Sequence, residues 1–207
     1  MIYNNRYFEK RILCVMPPKI KTTRADILQA GLRMIQEQGA DSINARALAS
    51  YMHCSTQPIF SNFNSMEELK AELIYAASER YRAFTEKEQL LGNYPEYKSS
   101  GMAYIKFAKE ETELFKFLFM RDRTDEINDC QEEDFTDKVY FLRQTFHTTY
   151  EKANLFHMEM WAFVHGIATM LATSYLDLEW EEISTMLTNA FLGFKKSHHI
   201  EEEKSNE

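Results

Sequence analysis

The sequence predicts an all-α protein, with an N-terminal three-helix helix-turn-helix domain joined by a long helix to a C-terminal helical domain. Three observations carry this. Gly and Pro together supply only ten of 207 residues, too few turn formers for a sandwich of short strands and unlike a disordered or collagen-like chain. Apolar residues recur at the three-to-four spacing of a helix face. The periodic stretches also open on Thr, Asn or Ser, whose side chains accept from the free backbone NH groups of a first helical turn. With 44% apolar residues the chain can bury a core without disulfides.

Composition narrows the setting. Cys14, Cys54 and Cys130 are odd in number and show no paired spacing, so neither a disulfide framework nor a zinc knuckle is expected. No run approaches the roughly 20 apolar residues that span a bilayer, and Ile12 to Met16 is too short for a signal-peptide core. The expected location is the cytoplasm, with no membrane partner. The net charge of −8 argues against a nucleic-acid partner until the chain is divided after Asn64. The first part holds eight Lys/Arg against four Asp/Glu, and the remainder sixteen against twenty-eight. A basic module thus precedes an acidic body.

Residues 1–21 are expected to be a disordered arm or an over-long start, since the first fifteen carry no period and Met16 opens a natural-looking beginning. A first helix is expected from Arg24 to Gln38, launched by Thr23 with Asp26 and stopped by Gly39 in a left-handed conformation. Asn44 caps a second short helix, with Ile43 and Leu48 as its hydrophobic staple, to about Met52. After His53 and Cys54, Ser55 is expected to cap a third through the Gln57 NH, with Pro58 tolerated at its third position. Ser65 with Glu68 forms a capping box that launches a long helix through Leu69, Leu73, Ala77 and Phe84.

Two short helices joined by a tight turn form a helix-turn-helix. The second can enter the major groove while the first crosses the phosphate backbone. Thr56, Gln57 and Ser61 would face base edges, Gln57 being able to bond adenine bidentately. Lys19, Lys21, Arg24 and Arg46 could hold phosphates. Short capped helices also occur in plain bundles, so spacing leaves both readings open.

The stretch from Thr23 to Leu73 resembles the DNA-binding domain of the tetracycline-repressor (TetR) family of transcription regulators. The resemblance lies in Ile-Leu-Gln-Ala-Gly-Leu at 27 to 32, Gln-Gly-Ala at 38 to 40, Asn-Ala-Arg-Ala-Leu-Ala at 44 to 49, Ser-Thr-Gln-Pro-Ile-Phe-Ser-Asn-Phe at 55 to 63 and Glu67-Glu68-Leu69. It implies a double-stranded DNA operator as partner and extends the DNA-facing set to Thr23, Ser55, Pro58, Phe60 and Asn62. His53 stands where the family has a turn glycine, which predicts a non-glycine residue in a left-handed conformation. Phe60 replaces the usual tyrosine, and Ser61, Asn62 and Met66 replace positions often basic or histidine. Modest affinity with a shallow salt dependence is therefore expected.

Beyond Gly92 and Pro95, the expected body begins with helices carrying Tyr104, Phe107 and Ala108, then Leu114, Phe115, Leu118 and Phe119. Arg121 to Asp137 is read as a loop grading into a helix with Val139, Leu142 and Phe146 that reaches about Lys152. Its carboxylates lack calcium-loop spacing, so no metal and no cofactor are expected. From an Asn154 cap a further helix carries Met158, Trp161, Ala162, His165, Gly166 and Thr169. Its Trp161, His165 and Gly166 resemble the Trp-His-Gly signature of one TetR C-terminal subgroup, and mid-helix Gly166 suggests a close helix approach. The last helix spans about Trp180 to Lys196.

The resemblance implies that the two final helices build a homodimer's four-helix interface, through Met158, Ala162, Gly166, Thr169, Ile183, Leu187, Phe191 and Phe194. An intramolecular core is the competing reading. It further implies a small-molecule effector, with Tyr104, Phe107, Phe119, Trp161 and His165 as candidate contacts, each also explicable as core. The expected organisation is 22–68 for the DNA-binding domain, 69–200 for the effector-binding and dimerisation domain and 201–207 for an acidic tail. The functional expectation is a repressor released from a pseudo-palindromic operator, not an enzyme, because no Gly-rich phosphate loop, serine elbow or histidine-rich metal spacing is present. The alternative is a helical sensing or interaction protein whose head has lost operator affinity.

Overall fold

A helix begins where a side chain can take the place of the missing carbonyls, and Thr23 does so for α1 (Arg24–Gln38). The Asp26 NH donates to Thr23 Oγ1 and the Thr23 NH returns to the Asp26 carboxylate at 2.9 Å. Those bonds hold the Asp26 carboxyl below its usual range. The computed structural model describes residues 22–122, 124 and 129–200; the expected arm, residues 123 and 125–128 of the charged loop and the acidic tail lie outside them. Over the described residues the chain is all-helical, with nine α-helices and a short 3-10 turn at Ala40–Ser42. Among them, no helix is long and apolar enough to cross a membrane.

Gly39 ends α1 with φ 79° and ψ 165°. The positive φ agrees with expectation, but the extended ψ is not the left-handed helical pair; the chain is instead launched into the 3-10 turn. Asn44 caps α2 (Ala45–Tyr51), its Oδ1 accepting from the Ala47 NH at 2.9 Å. For α3 (Gln57–Asn62) the expectation needs correction, because the N-cap is Thr56, not Ser55, and Thr56 already has helical φ and ψ with no side-chain cap bond. Pro58 accordingly falls at the second helical position, still within the turn whose NH groups have no intrahelical acceptor.

Ser65 caps α4 (Met66–Leu90), its hydroxyl accepting from the Glu68 NH at 3.1 Å. The reciprocal half of the box is diverted. Glu68 instead accepts from the Asn64 NH and side-chain amide, both at 2.7 Å, and from Arg24. Leu69 and Leu73, both fully buried, pack the first turns of α4 beneath α1. A Cβ on Gly31 would stand 2.7 Å from Leu73 Cδ2, so glycine permits this close crossing. The helix runs without interruption across the boundary expected at residues 68 and 69.

The body is built on α5 (Glu96–Glu110), which packs against α4, α6 (Thr112–Phe119), α8 (Tyr150–Ala172) and α9 (Trp180–Ser197). Ile105, Phe107, Leu114, Phe115, Phe156 and Ile183 are fully buried between them. The reading of the α7 to α8 region is corrected: α7 (Asp129–Thr145) stops seven residues before Lys152, and α8 is capped by Thr149, not Asn154. The break contains neither Gly nor Pro. His147 turns the chain with φ 47°, and the Thr149 hydroxyl accepts from the Lys152 NH. The final helix starts on a Glu179–Glu182 capping box.

Candidate functional site

In the head, α2 and α3 are joined by a turn in which His53 adopts φ 52°, a left-handed conformation that strains a non-glycine residue. The Cys54 NH closes the turn on the Ala49 carbonyl at 2.9 Å. Ile59 and Phe63 point into the core, leaving the other side of α3 to solvent. That outer side carries Gln57, Ser61 and Phe60, the last 52% exposed despite its apolar ring. Ser61 spends its proton on the Gln57 carbonyl at 2.8 Å. Ser55 and Arg46 are exposed nearby in sequence, while Thr56, Pro58 and Asn62 are half-buried. The Asn62 amide donates to the Pro58 carbonyl at 2.8 Å, so it helps close α3.

Of the expected phosphate-holding residues, Lys19 and Lys21 lie outside the described residues. Arg24 is a strut: its guanidinium donates to the Asn62 carbonyl, pairs with Glu68 at 2.9 Å and Glu72 at 3.1 Å, and lies 4.1 Å from the centre of the Phe63 ring. It ties the start of α1 to the end of α3 and to α4, and the bond to Glu68 raises its pKa. Thr23 is likewise engaged in its capping box. Residues 22–64 hold three arginines against three carboxylates, so the head's positive excess resides in residues 1–21.

In the body, the Tyr104 hydroxyl and His165 Nδ1 are 2.8 Å apart. Trp161, 47% exposed, lies parallel to the His165 ring, with centroids 5.2 Å apart and planes 6° apart. Tyr104 meets Phe119 at 5.1 Å and Phe115 at 5.4 Å. Four of the five expected ligand contacts are thus brought together. Phe107 is a second layer, fully buried against Tyr81 and Phe84. Burial lowers the His165 pKa, so the imidazole is neutral near pH 7. The cluster offers aromatic walls and one neutral hydrogen-bonding pair.

Sequence reasoning missed Phe115, Tyr81 and a second rung, Tyr97 with His157, also at 2.8 Å. Tyr97 precedes Tyr104 by seven residues and His157 precedes His165 by eight, spacings that share a helix face. That signal was present, but which helix faces which was not. A head-to-body link was also missed. Glu111 accepts from Gln36 at 2.7 Å and Arg80 at 2.6 Å, and Arg80 donates to Gln36 at 3.2 Å, joining α1, α4 and the α5–α6 junction.

The expected dimer residues divide. Met158 and Ala162 are exposed on α8, with Gly166 and Thr169 partly so. Ile183 and Leu187 have 0% and 2% exposure and belong to the chain's own core, so they cannot present themselves to a partner. Phe191 packs on Tyr97, Phe146 and Phe156, and Phe194 is half-buried against the core. The close approach expected at Gly166 is absent within the chain: a Cβ there, as at Gly193, would meet nothing within 4 Å. Leu155 and Leu192 add apolar surface to the outer faces of α8 and α9.

No family model matches the sequence, and no curated protein matches it. Among solved structures, the chain is similar to MexZ, described as a key repressor responsible for antibiotic resistance in Pseudomonas aeruginosa, with 16% identity over 87% of this chain and 98% of that chain and a TM-score of 0.61. At this identity the likeness establishes the fold, an all-helical architecture common to both chains.

Proposed function

We propose that the chain is a TetR-like DNA-binding transcriptional regulator, a homodimeric repressor released from a pseudo-palindromic operator by a small-molecule effector. The observation that carries this reading is the outward face of α3, where Gln57, Phe60 and Ser61 stand on a short helix held at a fixed angle by a helix-turn-helix. Gln57 offers a donor and an acceptor to adenine, and the Phe60 ring an apolar surface to a thymine methyl. Thr56, Pro58 and Asn62 shape the start and end of that helix, and Ser55, Arg46, Thr23 and Lys21 are assigned as contacts to the DNA backbone. MexZ, of similar fold, is described as a repressor.

Two reading helices must meet successive major grooves about 34 to 36 Å apart, which calls for a two-fold dimer. The outer faces of α8 and α9 supply the surface, with Met158, Ala162, Gly166 and Thr169 at its centre, while Phe191 and Phe194 back it from within. The Trp161, His165 and Gly166 pattern supports assigning the body to the Trp-His-Gly subgroup. An effector that inserts among Tyr104, Phe119, Trp161 and His165 would displace rings backed by Phe107. Because α6 carries Phe119 and also packs on α1, such insertion favours a body in which the heads are misaligned. DNA and effector then weaken each other equally.

An electrophoretic mobility shift with DNA from upstream of the coding region tests the reading. A sequence-specific shift at low salt supports it. A second reading, a sensing protein whose head no longer holds an operator, is favoured by one observation: Arg24 is committed to Glu68 and Glu72. A folded dimer that shifts no DNA at low salt would select that alternative.

A further inference from the structure

On the side of α5 that carries Ser99 and Lys106, a cleft of about 230 Å³ opens between the end of α4, the α4–α5 loop and the start of α9. It is lined by Glu88, Asn93, Tyr94, Ser99, Lys106 and Trp180, with Met102 and Ala103 as its floor. Three features define its chemistry. Lys106 and Glu88 are paired at 2.8 Å, the Glu88 side chain 15% and the Lys106 side chain 31% exposed, so an ammonium and a carboxylate stand side by side at the cavity wall. Ser99 is only 5% exposed and belongs to the lining, which adds a hydroxyl to the polar groups at the cleft wall. The Tyr94 and Trp180 rings add two aromatic walls.

The ion pair selects for charge. A ligand of net charge would satisfy one member and strand the other in a partly dry site, which is costly. A ligand bearing both signs can answer both members and leaves the site's total charge unchanged. Three other charges of this region are engaged elsewhere or with the pair itself: Lys109 with Asp177 and over Trp180, Lys98 with Ser184 and Thr188 and over Tyr94, and Glu110 with Lys106 at 3.8 Å. The volume lies below the range of drug-sized pockets. We propose that this cleft binds a small zwitterion of the α-amino-acid class, its ammonium on Glu88, its carboxylate on Lys106 and its side chain on Met102 between the aromatic walls. Ser99 and Asn93 supply the remaining hydrogen bonds. The site is separate from the Tyr104–His165 cluster and does not depend on DNA binding.

Isothermal titration calorimetry of the full chain with L-phenylalanine tests it, beside phenylacetate, which lacks the ammonium, and 2-phenylethylamine, which lacks the carboxylate. The expected result is saturable binding of one L-phenylalanine per chain, with each single-charge analogue at least tenfold weaker, roughly the effect of stranding one buried charge. Lys106→Met and Glu88→Gln should each weaken L-phenylalanine binding by about tenfold to a hundredfold. Ser99→Ala should weaken it by a smaller factor. Absence of saturable heat at about 10 mM, analogues that bind as tightly as the zwitterion, or undiminished binding in the Ser99 and charge variants would overturn the proposal. If circular dichroism shows a charge variant unfolded, the analogue series and Ser99→Ala still decide. The titration contains no DNA, so failure of operator binding leaves this result standing, and the converse holds.

Discussion

The Tyr104 hydroxyl and His165 Nδ1 are joined at 2.8 Å across α5 and α8, and Tyr97 and His157 repeat the contact at the same distance further along the two helices. Both rungs are backed by rings, Phe115 and Trp161 at one, Phe135 and Phe156 at the other. Tyr97→Phe removes a hydroxyl and leaves a buried imidazole nitrogen unpaired. Calorimetric unfolding should show a loss of about 1 to 3 kcal/mol, the cost of stranding one buried polar group. Tyr104→Phe should cost less, because its histidine is more exposed.

The same rungs set a pH dependence. Burial depresses His157 from its usual range to about 4 and lowers His165 in the same direction. Below the ordinary histidine pKa of roughly 6.5, the unfolded chain takes up a proton at these positions that the folded chain still refuses. Folding stability from these groups is therefore complete above about pH 6.5 and declines as pH falls toward 4. Thermal melts from about pH 7.5 to 4.5, spanning that window, should fall for the parent chain and fall less for His157→Gln. Equal slopes in the two would contradict the assignment.

Helix positions in the head were legible in the sequence because each start is a local event. Thr23, Asn44 and Ser65 cap through atoms three residues away, and such bonds are written in short spacings. The failures were also local, but they had competitors. Ser55 lost to Thr56, and the break at residues 146–149 used His147 instead of a glycine. Packing between helices was less legible: Arg24 is a basic residue at a helix start whether it meets phosphate or Glu68 and Glu72. Ile183 and Leu187 have the spacing of a stripe that serves a core and a dimer equally, and only the packing around them decides.

Arg46 and Arg24 should separate in salt dependence. Arg46→Ala, if Arg46 neutralises a phosphate, should reduce the slope of log affinity against log salt by about 0.9 for each phosphate left without its cation. Arg24→Ala should leave the slope unchanged while lowering the melting temperature, since its bonds are internal. Fluorescence anisotropy on one duplex at several salt concentrations makes the comparison.

Gly166 tests the assembly. Within one chain a methyl there meets nothing, so Gly166→Ala should stabilise an isolated helix by about 1 kcal/mol. If a partner helix crosses at that point, the same methyl instead weakens the dimer, and Met158→Glu on the same face should separate it. Sedimentation velocity at micromolar concentration reads both. A parent chain that is monomeric there would remove the two-fold arrangement.

Gln57→Ala should relax base preference at one position of each half-site by about 1 to 3 kcal/mol. Competition between duplexes that differ at single base pairs measures this. Unchanged selectivity would take Gln57 out of the reading set.

Operator recognition by a two-fold dimer is open to DNase I footprinting of the purified chain on the DNA upstream of its own coding region. Two symmetric protected half-sites are expected, their centres one helical turn, about 34 to 36 Å, apart, and both should vanish in a variant that cannot dimerise. A folded dimer that protects no sequence at low salt would rule out a DNA-reading head.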